Sequence, residues 1–382
     1  MRLELREDLL VEKVEVFLVE ANLLRSVAAS KDRNYVKRPI VFVNIQGEGV
    51  QGFGECASLE FPFYTSEYAL GSFGVIRDMF LPDIAKKLRN RWNLEGIGSC
   101  LNKYVDHQMA KSAVEMAFID AALKKKGQSL KTALGVAKDE VKPGAVIGRC
   151  GSIQETLDEV ELATSQGYER VKLKIEPGYD TEVARQVRVS YPQTEIYLDA
   201  NGSYETLSQA LEAFTPMDDF GITLIEQPFS PDEIVLSTRL CGHIATPICL
   251  DESLTSPAMA RTLIELGACD IVSAKVGRLG GITQVLKLHD YCEEMGVKGW
   301  IGGTFSSSLG RCVDIVCAGL EYFSLSSDIA LPFRGLDISE NDLLEIVDGN
   351  VRVPNNVGLG QEFSQDCFGS KIIAKHDVSL KV

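Results

Sequence analysis

The chain has 382 residues, too many for one ordinary hydrophobic core, and 45% of them are hydrophobic, so a globular protein of two domains is expected. Its formal net charge of −15 disfavours nucleic acid and anionic membrane surfaces as partners, and no apolar stretch approaches the ~18 residues of a membrane span. Ten scattered cysteines without a Cys-x-x-Cys pair, and a charged start unlike a signal peptide, predict a cytoplasmic protein with reduced thiols.

The first third of the chain begins with β-like alternation and then becomes helical. Val11–Val19 and Pro39–Ile45 are rich in Val and Ile with polar interruptions, and a Gly-rich turn leads into Gln51–Glu55. Helical periodicity follows at Gly71–Lys87 and at Gln108–Lys126. Strands followed by helices predict an α+β domain, which we place at residues 1–130.

From about residue 143, short apolar runs alternate with helical stretches. Positions 172, 199, 226, 251 and 275 carry charged residues in successive runs, at intervals of 27, 27, 25 and 24 residues. A strand with its crossover helix takes ~30 residues, so this period fits strand–helix units. With runs at Ala145–Gly148, Gly299–Gly303 and Phe323–Ser326, the pattern predicts a (β/α)7β TIM-like barrel over residues 131–333. Residues 334–382 are loop-rich and are expected to pack back on the first domain, completing an α+β capping domain.

Two lysines lie on one face of a predicted barrel strand. Lys172 and Lys174 are two residues apart, and Val171, Leu173 and Ile175 make the other face apolar. Lysine is rarely buried without a partner, so two inward lysines favour an active site at the strand's carboxyl end. The alternative is a misassigned period that leaves both lysines in solvent.

Three consecutive predicted strands each end in a carboxylate: Asp199, Glu226 and Asp251. Adjacent strands lie ~4.8 Å apart, so the three groups are expected to converge within one metal radius and to need a cation. Oxygen ligands without nearby Cys or His favour Mg²⁺, with Mn²⁺ also compatible. Separate solvated helix caps are the alternative. Asn201 falls on the same face as Asp199 and is a candidate to support the site or to bind substrate.

Lys275 ends the next strand, across the predicted barrel mouth from Lys172 and Lys174. A metal with a lysine on each side is suited to removing a proton α to the carboxylate of a small-molecule substrate, because the metal stabilises the enediolate charge. A lysine must be neutral to act as a base. We expect desolvation and neighbouring positive charge to lower its pKa.

Small and hydroxyl residues follow the seventh predicted strand, just before a helix. Gly302, Gly303, Ser306 and Ser307 can form an anion site at that helix N-terminus, suited to a second substrate carboxylate. Ordinary N-capping by serine explains the same residues equally well.

Taken together, these motifs resemble the enolase superfamily, in its muconate-lactonizing subgroup. Within the subgroup, the chain is most similar to the o-succinylbenzoate synthases and the N-acylamino acid (N-succinylamino acid) racemases. The resemblance covers nearly the whole chain. The motifs that carry it are Lys172-Leu173-Lys174, Asp199-Ala200-Asn201, Glu226-Gln227-Pro228, Asp251-Glu252-Ser253, and Lys275 followed by Gly277-Arg278-Leu279-Gly280-Gly281.

The resemblance implies a role for each lysine and acid. Lys174 would be the base on one face of the substrate, Lys275 its partner on the other, and Lys172 would bind the substrate carboxylate and position Lys174. The three acids would bind Mg²⁺. Two capping loops, near Leu23–Tyr35 and Gly52–Tyr68, would cover the mouth. Phe53 and Tyr64 in the second loop are predicted substrate contacts, and Arg278 resembles a feature of members able to racemise.

The implied activity is that of an o-succinylbenzoate synthase, a lyase that dehydrates a succinyl-hydroxycyclohexadiene carboxylate on the way to menaquinone. N-acylamino acid racemase is the alternative. A dipeptide epimerase would need an acid after the last strand to hold the substrate amine, and Asp328 is the one candidate. A non-catalytic binding barrel has no reason to keep inward charges. Thr304–Ser307 and Ala28–Arg33 differ from relatives, and a homo-oligomer is left open.

Overall fold

The computed structural model describes residues 3, 5, 8–29, 33–86, 91–329, 336 and 346–379, and the side chains of all of these except 24–29 and 33–36. It divides into an antiparallel sheet with helices on one side and a curled parallel sheet of seven strands. Within the described ranges, no helix is both long enough and apolar enough to cross a membrane.

The antiparallel sheet belongs to the predicted capping domain. Lys13–Ala29 pairs with Arg33–Gly47, which pairs in turn with Val50–Cys56, so the three predicted strands are confirmed with longer bounds. The strand Ile372–Ser379 adds to the free edge of Lys13–Ala29. The C-terminal segment therefore packs back on the first domain as predicted, while boundaries at 130/131 and 333/334 stay predictions.

A long helix covers one face of this sheet, and two glycines permit its close approach. It runs over Gln108–Lys126, as the periodicity predicts. A Cβ on Gly52 would lie 2.2 Å from the backbone oxygen of Ala117, and one on Gly54 would lie 2.0 Å from that of Ala113. Glycine is needed at both positions because the strand and helix backbones touch there.

The remaining elements around the capping domain are short. Its other α-helices are Ala69–Val75, Leu81–Ala85, Leu94–Leu101 and Leu130–Ala133, with a π-helical turn at Ile76–Phe80 and a 3₁₀ segment at Gln365–Lys371. The short strands are Leu9–Leu10 paired with Arg91–Trp92, and a three-stranded ribbon of Glu140–Val141, Asn350–Arg352 and Ile346–Val347.

The parallel sheet follows chain order without crossing over. Its strands are Gly144–Ile147 (β1), Arg170–Lys174 (β2), Glu195–Asp199 (β3), Leu224–Glu226 (β4), Ile248–Leu250 (β5), Ile271–Ala274 (β6) and Lys298–Ile301 (β7). The helices between and after them are Ile153–Ser165, Thr181–Ser190, Leu207–Phe214, Ile234–Cys241, Pro257–Glu265, Ile282–Met295 and Ser308–Ala318, with shorter turns at Thr215–Phe220 and Val276–Leu279.

The predicted eighth strand closes the ring without being a regular strand. The backbone N–H of Gly299 in β7 donates to Tyr322, and that of Gly144 in β1 donates to Ser327. Ser327 also uses its hydroxyl to accept from the N–H of Ile301. Phe323–Ser326 was predicted to be the eighth strand. In its place, single hydrogen bonds from this segment to β7 and β1 complete the barrel.

Apolar and aromatic side chains fill much of the lower barrel, where they surround the buried guanidinium of Arg170. Tyr197, Leu224, Cys249 and Trp300 form a buried interior cluster. Above it, register places Lys174 beside Asp199 and Asp199 beside Glu226. The strand ends therefore bring the predicted site residues together at one rim, as expected for parallel strands.

Candidate active site

Lys172 lies inside the barrel, surrounded by carboxylates. Its Nζ donates to Oε2 of Glu226 at 2.8 Å and pairs with Oδ2 of Asp199 at 3.2 Å and with Oδ2 of Asp328 at 2.5 Å. Burial disfavours the charge, but these three carboxylates outweigh burial and hold the pKa of Lys172 well above its ordinary value. Lys172 therefore stays an ammonium group that ties three strand ends together.

Lys174 lies one pleat higher and is more accessible. Its Nζ donates to Oδ2 of Asp199 and to Oδ1 of Asn201, both at 2.6 Å. Its side chain is 17% exposed, compared with 3% for that of Lys172. The inward direction predicted for both lysines is confirmed, and Lys174 is the one that a substrate at the mouth can reach.

The backbone just after β3 and β4 takes an unusual conformation. Asn201 has φ 43° and Gln227 has φ 41°, in the left-handed region that non-glycine residues rarely occupy. Gln227 is held there by the N–H groups of Asp251 and Ser253, which donate to its Oε1. Such backbone strain tends to accumulate at functional sites, and here it fixes the direction of the neighbouring acids.

The opposite wall carries Lys275, Arg278 and Tyr64. Nζ of Lys275 donates to Oδ2 of Asp251 at 2.8 Å and lies 4.4 Å from the centre of the Tyr64 ring. Arg278 donates to Asp251 and to the hydroxyl of Tyr64, and Tyr64 itself donates to Asp251 at 3.1 Å. A Cβ on Gly302 would lie 2.6 Å from Cε of Lys275, so this glycine leaves room for the lysine.

The ion pair of Lys275 with Asp251 favours its charged form. Burial lowers the pKa of Lys275, but the carboxylate of Asp251 raises it by more, so the net pKa lies above the ordinary value. The expected lowering counted the charge of a bound Mg²⁺ beside the lysine, and it stays a prediction for the metal-bound enzyme.

The three predicted metal ligands face the mouth but are turned toward cationic side chains. Among the described residues, one set of three candidate ligand atoms lies within 4.8 Å of one another, and it is His289, Asp290 and Glu293 on an outer helix. The predicted convergence of the three strand-end acids within one metal radius is therefore not reached. Lysine and arginine neutralise the carboxylates instead.

The chemistry of the donor set nevertheless fits a hard divalent cation. Oε1 of Glu226 is buried and accepts no hydrogen bond from the described residues. Burial and the nearby acid Asp199 raise the pKa of Glu226 well above its ordinary value, so a cation would relieve the cost of its charge. Glu252, which the sequence interpretation had not singled out as a site residue, lies next to this group and accepts from Asn201 at 2.9 Å. Burial raises the pKa of Glu252 to about 7.

The predicted anion site at the helix Ser308–Ala318 is filled from within the protein. Glu55, from the capping strand Val50–Cys56, accepts from the N–H and hydroxyl of Ser307 at 3.0 and 2.5 Å and from the N–H of Gly310 at 3.2 Å. Ser307 is fully buried, so its predicted substrate contact is wrong. Ser306 and Gly303 instead line a cavity beside the barrel centre.

The predicted contact of Phe53 with substrate is also wrong. Phe53 is fully buried in the capping domain, with ring centres 5.5 Å from Phe363 and 6.5 Å from Phe368. Its strand continues to Cys56, so the second capping loop begins later than Gly52. Of the first loop, residues 30–32 lie outside the described residues. Tyr64 does reach the mouth, and its role in substrate binding stays a prediction.

Asp328 belongs to the charged centre of the barrel. Its carboxylate pairs with Lys172 and with Arg170, whose guanidinium lies 4.5 Å from the ring of Tyr197. Both contacts lower the pKa of Asp328 against the effect of burial. The sequence signal for Asp328 is its position just after the predicted eighth strand, Phe323–Ser326.

Comparison with known proteins identifies the family. Residues 13–135 match the mandelate racemase/muconate lactonizing enzyme N-terminal domain, and residues 155–367 match the enolase C-terminal domain-like family. The chain is 34% identical over 370 residues to an o-succinylbenzoate synthase of Bacillus subtilis, covering 96% of this chain and 98% of that protein. It is 36% identical over 326 residues to an N-succinylamino acid racemase of Thermus thermophilus, covering 85% and 87%.

A solved structure extends the similarity to the whole fold. An enolase-superfamily protein from Listeria innocua superimposes with a TM-score of 0.89 at 28% identity, covering 98% of this chain and all of that one. Members of the superfamily use a divalent metal, typically Mg²⁺. The chain is therefore an enzyme that belongs to the enolase superfamily, in its muconate-lactonizing subgroup.

Proposed function

We propose that this enzyme is an o-succinylbenzoate synthase. One observation carries the proposal: Lys174 and Lys275 stand on opposite walls of the same group of carboxylates, each bonded to a different acid. This layout suits removal of a proton α to a carboxylate. Relatives named as synthases at 34–36% identity support the same chemistry.

Asp199, Glu226 and Asp251 would hold Mg²⁺, with Mn²⁺ also compatible, through oxygen donors of the kind these ions prefer. When bound, the ion supplies positive charge for the substrate carboxylate oxygens. The rest of the proposed reaction is assigned to side chains of this chain. The substrate is a small carboxylate, and the enzyme acts in the cytoplasm on the way to menaquinone.

Lys174 is the proposed base and acid. Its neutral amine takes the proton from the carbon next to the carboxylate, and the electron pair of that C–H bond moves into the enediolate. The C–O bond to the leaving hydroxyl then breaks, the hydroxyl takes the proton from Lys174, and water departs. The ring becomes aromatic, and Lys174 is neutral again.

Lys275 and Lys172 stay charged in this proposal. Lys275 faces the other side of the enediolate, where its ammonium group stabilises the developing negative charge. Lys172 holds Asp199 and Glu226, and the same Asp199 oxygen accepts from Lys174. Its ion pairs would therefore position both the acids and the base.

N-succinylamino acid racemase is the second candidate, and one contact favours it. Arg278 donates to Asp251, which also accepts from Lys275, so it can adjust how readily Lys275 gives or takes a proton. Racemisation needs Lys174 and Lys275 to exchange roles. Relatives named as racemases are 36–37% identical.

Two further readings receive less support. A dipeptide epimerase would use Asp328 for the substrate amine, but that carboxylate is engaged by Lys172 and Arg170. A non-catalytic barrel, whether monomer or homo-oligomer, would gain nothing from lysines buried among acids, which are costly to desolvate.

An assay with two substrates tests the proposal. Purified enzyme with Mg²⁺ should dehydrate the succinyl-hydroxycyclohexadiene carboxylate, followed by the absorbance of the aromatic product. Chelation with EDTA should abolish turnover, and added Mg²⁺ should restore it. Racemisation of N-succinyl amino acids without dehydration would instead select the second candidate. No change in activity or melting temperature with EDTA would refute the metal site.

A further inference from the structure

The loop after β6 carries two side chains of the candidate active site, Lys275 and Arg278. Residues 275–281 form a compact turn, in which the backbone N–H of Gly281 donates to the oxygen of Val276 at 2.9 Å. The strand β6 fixes Lys275 from one side. From the other side, its position depends on what holds the far end of the 275–281 turn.

The capping domain touches this turn directly, because glycines leave room for it. A Cβ on Gly277 would lie 2.6 Å from that of Ala57, at the start of the second capping loop. A Cβ on Gly281 would lie 1.9 Å from Oε2 of Glu115, in the capping helix Gln108–Lys126. Gly281 also has φ 119°, a conformation that other residues rarely adopt. The contact with Glu115 therefore needs glycine at the end of the turn.

Glu115 also makes a polar contact across this interface. Its side chain is buried and accepts from the hydroxyl of Thr283 and, at 3.4 Å, from the backbone N–H of the same residue. Thr283 lies in the first turn of the helix Ile282–Met295, where N–H groups have no partner within the helix. Burial raises the pKa of Glu115 to about 7, but a carboxyl oxygen accepts such bonds in either protonation state.

The apolar core divides the barrel in the same way. Buried apolar residues of the capping domain form one continuous cluster with those of residues 250–323, including Val276 and Leu279. Most of the buried apolar residues within 145–248 form a second cluster. The capping domain therefore packs against the wall that carries Lys275. The wall that carries Lys174 is packed by the barrel's own helices.

We propose that Glu115 is a positioning residue for Lys275 and acts from the capping domain through the 275–281 turn. Its carboxyl group holds the end of the turn, and the turn sets where the Lys275 ammonium group stands relative to the substrate. The inference rests on the proposed function, in which that ammonium group stabilises the enediolate. It gives the capping domain a part in catalysis that is separate from covering the barrel mouth.

A double-mutant cycle tests whether Glu115 acts through Lys275. Glu115→Ala should lower kcat for dehydration about tenfold or more and leave KM within about twofold, because a displaced charge weakens stabilisation of the transition state. In a Lys275→Met background, the same change should lower kcat by less than about twofold. Glu115→Gln keeps the shape and an acceptor oxygen, so its kcat should stay within about threefold of wild type. Equal losses with and without Lys275 would overturn the proposal.

Asp120→Ala is the matched control for a general loss of stability. Asp120 lies on the same helix, is fully buried and accepts from the backbone N–H groups of Phe53 and Leu359 at 2.9 and 3.0 Å. Its removal should lower the melting temperature at least as much as Glu115→Ala, whereas kcat should stay within about twofold of wild type. Arg185→Met, on an exposed helix position, should change neither value. A loss of kcat in Asp120→Ala as large as in Glu115→Ala would overturn the proposal.

Amide hydrogen exchange, followed by mass spectrometry, tests the positioning without turnover. Glu115→Ala should speed exchange in peptides covering residues 275–283 about tenfold and leave the β2 peptide unchanged, because local opening reports local contacts. Thr283→Val deletes the donor hydroxyl and should give a smaller effect of the same pattern, which serves if Glu115→Ala fails to fold. Unchanged exchange at residues 275–283 in the folded variants would overturn the proposal. Failure of the wild type to dehydrate the cyclohexadiene substrate would instead overturn the synthase proposal, and exchange would still report on the turn.

Discussion

The two walls of the barrel mouth present the same residue type in different surroundings. On the β2 wall, Lys174 is partly open and bonded to Asp199 and Asn201. On the β6 wall, Lys275 lies beneath the Tyr64 ring and is paired with Asp251. An accessible amine suits proton transfer, and a covered ammonium group suits charge stabilisation. In the proposed mechanism, the neighbours of each lysine, more than the residue type, therefore set its role.

Removing the open lysine should have the largest effect on dehydration. Lys174→Ala deletes the proposed base, and kcat should fall about 10³-fold or more, near the upper range for general acid–base catalysis. Steady-state kinetics with the cyclohexadiene substrate measures this. The folded Arg185→Met variant should keep wild-type kcat. A kcat of Lys174→Ala within tenfold of wild type would contradict the assignment of the base.

Substitutions of Lys275 should separate the effect of its positive charge from the effect of its ability to give and take a proton. Lys275→Met should reduce kcat for dehydration about 10²-fold, because the enediolate loses a nearby positive charge. Lys275→Arg keeps the charge and should recover part of the dehydration. A guanidinium group cannot act as a base, so the same variant should not racemise N-succinyl amino acids. Full racemisation by Lys275→Arg would remove Lys275 from the proton-transfer pair.

Removing the Tyr64 hydroxyl next to Lys275 should have a smaller effect on catalysis. Tyr64→Phe keeps the ring but deletes the hydroxyl that contacts Asp251 and Arg278. We expect kcat/KM to fall about tenfold, the cost of one charge-assisted hydrogen bond. The effect should be smaller on binding of o-succinylbenzoate than on kcat. An unchanged kcat/KM would mean that the contacts of the Tyr64 hydroxyl with Asp251 and Arg278 do not contribute to catalysis.

The contact of Glu55 with Ser307 and Gly310, which joins the capping domain to the barrel, should affect the free energy of unfolding more than the rate of catalysis. Glu55→Gln weakens the carboxylate bonds to Ser307 and Gly310, and the free energy of unfolding should fall by about 1–2 kcal/mol. Urea denaturation measures this. Glu12→Gln, at an exposed position, is the control and should change stability by less than about 0.5 kcal/mol. Equal stability of the two variants would show that Glu55 is not a significant tie.

The barrel and its reactive rim could be predicted because both follow from period and spacing. Side chains alternate along a strand, so Lys172 and Lys174 had to share a face. Parallel strands end at one rim, so Asp199, Glu226 and Asp251 had to lie on the same side of the barrel. These are local rules, and each strand obeys them without information from distant residues.

The wrong predictions concern contacts between distant segments. Glu55 fills a helix N-terminus 252 residues further along the chain, and no local pattern near Ser307 reveals it. Phe53 and Tyr64 lie in one predicted loop, but strand pairing buries the first and leaves the second at the mouth. The charge balance around Asp251 likewise depends on which cation reaches it. Such pairings are set by tertiary packing rather than by sequence spacing.

Enantiomer-specific exchange of the substrate α-proton tests the two-wall arrangement most directly. In D₂O with Mg²⁺, wild-type enzyme should exchange the α-proton of the N-succinyl-phenylalanine enantiomer whose proton faces Lys174, measured by NMR. Lys174→Ala should lose this exchange, whereas Lys275→Arg, which keeps the positive charge on the other wall, should retain part of it. Full exchange of the same enantiomer by Lys174→Ala would contradict the account.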